Sequence, residues 1–300
     1  QLPMQCRAFH ADERRGLRNV ARETTDLDGE ILAFEILAGL AQRRAHHGAD
    51  TPIASVLASQ NLLREHLDLN LLELVARRED ALKEVQQNIR DAGGSADIAL
   101  CDLFDSGSRQ SLCNLIENLP RIDVLVANSG GPAPGMAPGI APDIWTKEFD
   151  AMVLGLIEII DTSVGRMKRA GFGRILVIAS SGIVTPIPKL AVSNTLRSAL
   201  AGYVKTLSEQ MAPHGVTCNM VLPGRIDTPR TKAIDVGGAK AEGVEVDEIR
   251  SRSWAAIPMG RYGTPEEFAS MVVFLASVRA SYVTGTQARV DGGAMKSVNV

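Results

Sequence analysis

Segments with the apolar pattern of strands alternate with longer helical segments through most of this 300-residue chain. The predicted strands are residues 69–76, 96–101, 124–128, 174–179, 216–222 and 287–290. The predicted helices are residues 79–92, 107–118, 143–170, 191–212 and 265–277. Strands separated by helices require crossover connections, so we predict an α/β fold with a doubly wound, mainly parallel sheet and helices on both faces. Ligands of such sheets bind at the carboxyl ends of the strands, and functional residues are expected there.

The overall composition is that of an ordinary globular protein, with 45% hydrophobic and 22% charged residues. The formal net charge of -3 argues against nucleic acid or an anionic membrane surface as the main partner. No apolar run is long enough to span a membrane and the N-terminus lacks a signal-peptide pattern, so we expect a cytoplasmic protein. Residues 1–45 do not follow the alternation, and we interpret them as a helical N-terminal extension of a domain over residues 46–300.

Neither the cysteines nor the histidines form a recognisable ligand pattern. His46 and His47 lie near Asp50, but no further ligand cluster accompanies them, and no metal site is predicted. Reduced thiols are expected at the four cysteines, which lack the spacing of metal or redox motifs: Cys6, Cys101, Cys113 and Cys218.

Three predicted strands break into glycine-containing turns at their carboxyl ends. The strand at 124–128 is followed by Ser129-Gly130-Gly131, the strand at 216–222 by Pro223-Gly224, and the last strand by Asp291-Gly292-Gly293. Glycine lets the backbone approach a ligand closely, and the side chain of Asn128 can brace a neighbouring strand. These turns therefore indicate a ligand crevice at one edge of the sheet.

In this order and spacing, the motifs from about Leu71 to Gly293 resemble those of the short-chain dehydrogenase/reductase family. The likeness is greatest to its members that are similar to 3-oxoacyl-[acyl-carrier-protein] reductase. The segments that carry it are Ala127-Asn128-Ser129-Gly130, Gly173-Arg174-Ile175, Ala179-Ser180-Ser181, Pro223-Gly224 with Thr228, Gly260-Arg261, Gly263-Thr264-Pro265-Glu266-Glu267, Tyr282-Val283-Thr284-Gly285 and Val290-Asp291-Gly292-Gly293. The resemblance implies a Rossmann-like fold and an NAD(P)-dependent oxidoreductase acting on carbonyl or hydroxyl groups of small molecules. It also implies a homo- or hetero-oligomer assembled through the helices at 143–170 and 191–212.

The catalytic positions that the resemblance implies are mostly altered. Ser180 matches the family's substrate-orienting serine, but Ser193 and Arg197 stand where the family has the tyrosine and lysine of Tyr-x-x-x-Lys, and Met152 stands at the asparagine position. A serine hydroxyl has a pKa far above the value of about 10 for a phenol, and arginine stays protonated. Tyr203, ten residues beyond Ser193, lies about 280° around the helix, so we interpret it as a packing residue. The candidate catalytic residues are Ser180, Ser193 and Arg197.

The implied cofactor positions are altered in one place and retained in others. In the segment Gly48-Ala49-Asp50-Thr51-Pro52-Ile53-Ala54, two glycines of the family's phosphate-binding turn are replaced, and Pro52 removes an amide donor. Arg77 follows the second strand of the family pattern and favours a 2′-phosphate, which makes NADP(H) the expected cofactor. The candidate cofactor-binding residues are Gly48, Ile53, Arg77, Asp102, Asn128, Gly130, Pro223, Gly224 and Thr228.

Three functions remain compatible with this sequence. The first is an atypical NADP(H)-linked oxidoreductase, and the second is a catalytically degenerate subunit that assembles with an active homologue. The third is a cofactor-free enzyme on the same fold that uses Arg197 in place of the lysine.

In the family, a substrate-covering loop corresponds to residues 229–258, and the glycines at 237, 238 and 243 suit a flexible segment.

Overall fold

A computed structural model describes residues 72–91 and 94–298. Its strands are β1 (Leu72–Ala76), β2 (Ala96–Leu100), β3 (Val124–Ala127), β4 (Gly173–Ile178), β5 (Val216–Pro223) and β6 (Gln287–Val290). Its α-helices are α1 (Glu79–Asp91), α2 (Ser106–Asn118), α3 (Pro142–Phe149), α4 (Gly155–Ala170), α5 (Ala191–Met211), α6 (Pro229–Glu242), α7 (Val246–Ala255) and α8 (Pro265–Ala276). Short 3₁₀ turns cover Ser181–Ile183, Ala212–His214 and Val278–Ala280.

The described strands form two parallel sheets. β1 pairs with β2, and β3, β4, β5 and β6 form a four-stranded sheet in that order. Since every described strand pair is parallel and helices connect the successive strands, the predicted doubly wound α/β class is confirmed. The carboxyl ends of β3, β4 and β5 therefore meet at one edge of the larger sheet.

The two faces of the four-stranded sheet carry separate hydrophobic cores. In β4, Ile175 and Val177 pack into the core formed with α4 and α5, whereas Leu176 and Ile178 pack into the core formed with α8. All six residues of β4 are buried, as expected for a strand that is covered on both faces. This burial fixes the register of β4 and with it the position at which Ser180 leaves the sheet.

The smaller sheet has a core of its own against α1. Leu74 and Ala76 of β1 pack with Leu82, Val85 and Ile89, which recur on one face of α1. Helix α2 packs against α4 and contributes Leu112, Cys113 and Ile116 to a further cluster. These contacts hold the turn after β2 next to the larger sheet, and Asp102 lies in this turn.

Two predicted features differ from the structure. The helix predicted over residues 143–170 is divided by a π-helical turn at Asp150–Leu154. The segment expected to be flexible, residues 229–258, contains helices α6 and α7, and its role in covering a substrate stays a prediction. Thr228 caps α6 by accepting a hydrogen bond from the Thr231 amide, and Pro229 occupies the first helical position, so the helix start outweighs the two internal glycines.

Within the described residues, no helix is long and apolar enough to cross a membrane. The same residues contain no group of three or more histidine, cysteine, aspartate or glutamate side chains able to hold a metal ion. Cys101, Cys113 and Cys218 are buried free thiols, and burial raises the pKa of Cys218 to about 12. The N-terminal extension and the sequence around His46 lie outside the described residues.

Candidate active site

The guanidinium of Arg197 joins the carboxyl ends of β3 and β4. Its Nη1 donates to the Ile178 carbonyl at 3.2 Å, and its Nη2 donates to the carbonyls of Ser129 and Gly130 at 3.1 and 3.3 Å. The side chain is buried, and desolvation, together with the nearby charge of Arg230, lowers its pKa to about 10. Arg197 therefore stays protonated at neutral pH and fixes the turn that follows β3.

The two candidate serines both precede Arg197 in the chain. Ser180 follows β4, and its Oγ accepts a hydrogen bond of 3.1 Å from the Gly182 amide. Ser193 lies in the first turn of α5 and is buried. The next residue, Asn194, bonds to both the amide and the carbonyl of Ile187 and so fixes the loop that leads into α5. Two residues of the Ser-Asn-x-x-Arg motif at 193–197, Asn194 and Arg197, therefore stabilise the local structure.

Met152 lies in the π-helical turn and is buried in the core between the sheet and α5. A thioether at this position offers only a weak acceptor, so it does not support a relay water as an asparagine does. The turn is held by the buried side chain of Arg109, which donates to both carboxylate oxygens of Asp150, to Glu158 and to the Leu103 carbonyl. Arg109 therefore connects the end of β2 to the helix that carries Met152.

Several candidate cofactor residues stand at the carboxyl edge with defined local roles. Asp102 accepts a hydrogen bond from the Phe104 amide and shapes the turn after β2. Thr228 is buried, and its hydroxyl caps α6. A Cβ at Gly224 would lie 2.5 Å from the Asp291 Cα, so Gly224 is required where the ends of β5 and β6 approach each other, next to Pro223. Arg77 and Asn128 are half-buried at the ends of β1 and β3, and Gly48 and Ile53 lie outside the described residues.

The turn after β3 has the features of a ligand cradle. A Cβ added at Gly130 would meet no atom of the described residues within 4 Å, so there is open space above this backbone. Ser129 is 3% exposed, and among the described residues its Oγ has no hydrogen-bond partner. A buried hydroxyl without a partner is costly, and a polar ligand beside the turn would satisfy it. These two observations fit a dinucleotide cofactor bound against this turn.

Arg230 is a site residue that the sequence analysis did not identify. A Cβ added at Gly131 would lie 3.4 Å from Arg230 Nη2 and 3.8 Å from Nη1, so this guanidinium lies against the turn after β3. Arg230 is the second residue of α6 and reaches the turn from the other side of the crevice. Its position two residues after the cap Thr228 is the only sequence signal that points to it.

Helix α6 is held in place by a buried carboxylate. Asp235 is fully buried and accepts hydrogen bonds from Tyr262 Oη at 3.0 and 3.1 Å and from Arg225 Nη1 at 3.2 Å. The Thr231 hydroxyl also donates to the Ile226 carbonyl. A buried carboxylate with these donors has its hydrogen-bonding capacity satisfied, so it fixes the position of α6 beside the crevice.

A cavity of about 340 Å³ lies at the ends of β5 and β6, beside the candidate site. Its lining combines Met259 with three arginines, Arg225, Arg261 and Arg289. It contains neither Ser180 nor Ser193, so it does not coincide with the altered catalytic positions.

The helices predicted to form an oligomer interface pack against each other within the chain. Tyr203 of α5 donates a hydrogen bond of 2.6 Å to Asp161 of α4, which agrees with its interpretation as a packing residue. The side chains of Ile144, Phe149 and Leu154, along the predicted 143–170 segment, are exposed. They form the apolar part of the surface on which assembly is predicted.

The chain matches known proteins over most of its length. The family described as "Enoyl-(Acyl carrier protein) reductase" matches residues 64–295. The NADPH-dependent reductase BacG of Bacillus subtilis (strain 168) is 30% identical over 257 residues, which are 85% of this chain and 96% of the relative. The short-chain reductase protein NovJ of Streptomyces niveus is 33% identical over 224 residues, which are 73% and 82% of the two chains.

Solved structures agree with these relatives. YwfH, an NADPH-dependent reductase involved in bacilysin biosynthesis, is 30% identical and superposes with a TM-score of 0.72 over 82% of this chain and 95% of its own. The actinorhodin polyketide ketoreductase with NADPH is 29% identical and has a TM-score of 0.69 over 75% and 87%. Together with the parallel sheet and the motifs at its carboxyl edge, these matches establish that the chain belongs to the short-chain dehydrogenase/reductase family and is similar to 3-oxoacyl-[acyl-carrier-protein] reductase-like members.

Proposed function

We propose that this chain is an NADP(H)-linked oxidoreductase that interconverts carbonyl and hydroxyl groups of a small-molecule substrate at an atypical site. The observation that carries the proposal is the turn after β3, where open space above Gly130 adjoins the buried, unpartnered hydroxyl of Ser129 among the described residues. The relatives named as NADPH-dependent reductases support the choice of cofactor.

Bound NADPH supplies the hydride that a carbonyl carbon receives. The chain's own part is to orient the substrate and to admit the water that protonates its oxygen. Ser180 Oγ accepts from the Gly182 amide, so its own hydrogen can be donated to a substrate oxygen beside β4. Arg197 positions the turn against which the cofactor would lie, because its donors hold the carbonyls of Ser129 and Gly130.

The proton itself is the difficult part of this reaction. Ser193 and Met152 supply no group that is acidic near neutral pH, so the proton must come from solvent water that enters the crevice. The loss of a positioned general acid typically lowers a rate by about 10²–10⁴-fold. We therefore expect slow turnover, with hydride transfer to the carbonyl carbon and proton transfer from water to its oxygen.

The test is a titration of the purified protein with NADPH and NADH, followed by turnover with a panel of ketones and aldehydes. We expect NADPH to bind more tightly than NADH and to be oxidised by some member of the panel. Ser180→Ala should lower turnover by tenfold or more without changing NADPH affinity, whereas Ser181→Ala should change neither. Failure of both nucleotides to bind would refute the proposal.

A second candidate function is a partner subunit without catalysis of its own. It is favoured by the engagement of Arg197 with three backbone carbonyls and by the exposed Ile144, Phe149 and Leu154. Nucleotide binding without turnover, and co-purification with a homologue that retains Tyr-x-x-x-Lys, would support it. Activity gained by the double variant Ser193→Tyr/Arg197→Lys would show that only the proton-transfer groups are missing.

A further inference from the structure

Two guanidinium groups meet at the turn after β3. Arg197 lies beneath it and donates to the carbonyls of Ser129 and Gly130, while Arg230 lies against Gly131 from the N-terminal turn of α6. They are near enough that the charge of Arg230 contributes to lowering the pKa of Arg197. Two like charges in a partly buried site repel each other, and an anion placed beside them relieves that repulsion.

The groups around Arg230 also suit anionic oxygens. The 14-residue helix α6 begins beside the crevice, and its N-terminus carries a partial positive charge. The 3%-exposed Ser129 hydroxyl, which has no hydrogen-bond partner among the described residues, is available as a donor in the same turn. The open space above Gly130 leaves room for a ligand between the turn and α6.

The position of Arg230 is set by the packing of α6. Asp235, one and a half turns further along the helix, is fixed by Tyr262 and Arg225, and Thr231 is bonded to the Ile226 carbonyl. Because these contacts anchor α6 without involving Arg230, replacement of Arg230 should remove its charge and leave them in place.

We propose that Arg230 and the turn Ser129–Gly131 form an anion subsite in the crevice, which binds carboxylate or phosphate oxygens of a bound ligand. This proposal rests on the proposed function for the identity of that ligand. The oxygens belong either to the phosphates of the cofactor or to the carboxylate of an oxo-acid substrate. Arg230 is thus a binding residue that determines which ligands the crevice accepts.

The experiment compares Arg230→Gln with Lys232→Gln. Lys232 lies on the same helix and forms an exposed ion pair with Asp227, which precedes the helix. Binding of inorganic pyrophosphate and of pyruvate is measured by calorimetry without nucleotide, and binding of NADPH is measured separately. A charge-assisted contact predicts a loss of about tenfold or more for Arg230→Gln, and little change for Lys232→Gln. Arg230→Lys, which keeps the charge but loses the planar fork, should give an intermediate loss.

The two sources of the anion give different outcomes. Weaker binding of pyrophosphate and NADPH assigns the subsite to the cofactor, and weaker binding of pyruvate with unchanged NADPH affinity assigns it to the substrate carboxylate. The proposal is overturned if the wild-type protein binds neither probe, if Arg230→Gln weakens neither, or if Lys232→Gln has an equal effect. Anion binding that depends on Arg230 in a protein that does not bind NADPH would refute the proposed function and leave the subsite intact.

Discussion

Replacement of Arg197 by methionine tests whether this residue serves as a structural clamp. The substitution keeps an unbranched apolar side chain in the buried position but removes the donors to the carbonyls of Ile178, Ser129 and Gly130. Three carbonyls at the ends of β3 and β4 would then lack this partner. We expect the turn after β3 to loosen and the free energy of unfolding to fall.

The magnitude follows from two opposing effects. Hydrogen bonds from a charged donor contribute about 1.5–3 kcal/mol each. Burial of the guanidinium opposes this gain, since a pKa lowered to about 10 corresponds to a cost of about 3 kcal/mol. The net loss expected for Arg197→Met is about 3 kcal/mol, which is the part of the hydrogen-bond contribution that remains after the cost of burial. At about 2–4 °C per kcal/mol for a domain of this size, Tm should fall by about 6–12 °C.

The assay is urea unfolding followed by circular dichroism, with thermal unfolding as a second measurement. Lys205→Met is the matched control, because Lys205 is on the same helix in an exposed pair with Glu209 and should change stability by less than about 0.5 kcal/mol. Arg197→Lys should fall between the two variants. If Arg197→Met unfolds at the same urea concentration as the control, the three hydrogen bonds do not stabilise the fold and the reasoning is refuted.

Three other substitutions test separate features. The ion pair with Arg261 lowers the pKa of Glu267 to about 2, so the contribution of the pair to folding stability is present above pH 4.5 and is lost as the pH falls towards 2. Glu267→Gln should remove this acid dependence, which amounts to about 0.5–1 kcal/mol for an exposed pair. Urea titrations at pH 3 and 6 measure it. Tyr203→Phe removes the hydrogen bond to Asp161 and should cost about 1 kcal/mol in urea unfolding, and a neutral result would show that the bond contributes nothing. Gly224→Ala places a Cβ about 2.5 Å from a backbone atom of the β6 turn, so we expect a loss of about 1–3 kcal/mol; an unchanged Tm would contradict the close approach.

The sequence predicted the strands well because each is a short β-rich run with clear flanking turns. The strand at 287–290 has the predicted bounds, β3 and β5 differ from the prediction by one residue at one end, and β4 is shifted by one residue at both ends. Thr264 and Glu267 form a capping box at the start of α8. Local patterns of this kind are decided within a few residues, so tertiary contacts do not alter them.

Features that depend on distant partners were not predicted. The π-helical turn is fixed by Arg109, whose partner Asp150 lies 41 residues away in the chain. Helix α6 lies in the segment interpreted as a flexible loop, although Thr228 and Pro229 form the same kind of helix start as Thr264 and Pro265 do at α8. The position of Arg230 beside Gly131 could not be predicted, because it depends on how α6 packs against the turn after β3.

The candidate site itself could be predicted only in part. The sequence identified the replacements at Ser193, Arg197 and Met152, since these positions are defined by spacing from retained motifs. It assigned Arg197 to the candidate catalytic residues, and that role stays a prediction. The burial of its guanidinium and its three carbonyl partners could not be predicted, because they depend on the relative positions of β3, β4 and α5.

The alternation of buried residues along β4 has a consequence for how such a protein can change over time. Leu176 and Ile178 belong to one core, and Ile175 and Val177 belong to the other. The sheet therefore separates two cores whose side chains pack independently of each other. Compensating substitutions should pair within a face and add independently across the sheet. Insertion of a single residue within β4 would instead exchange the two faces for every following position. Variation in length is therefore expected outside β4, including the segment beyond Ile178 where Ser180 lies, so the site can diverge while both cores persist.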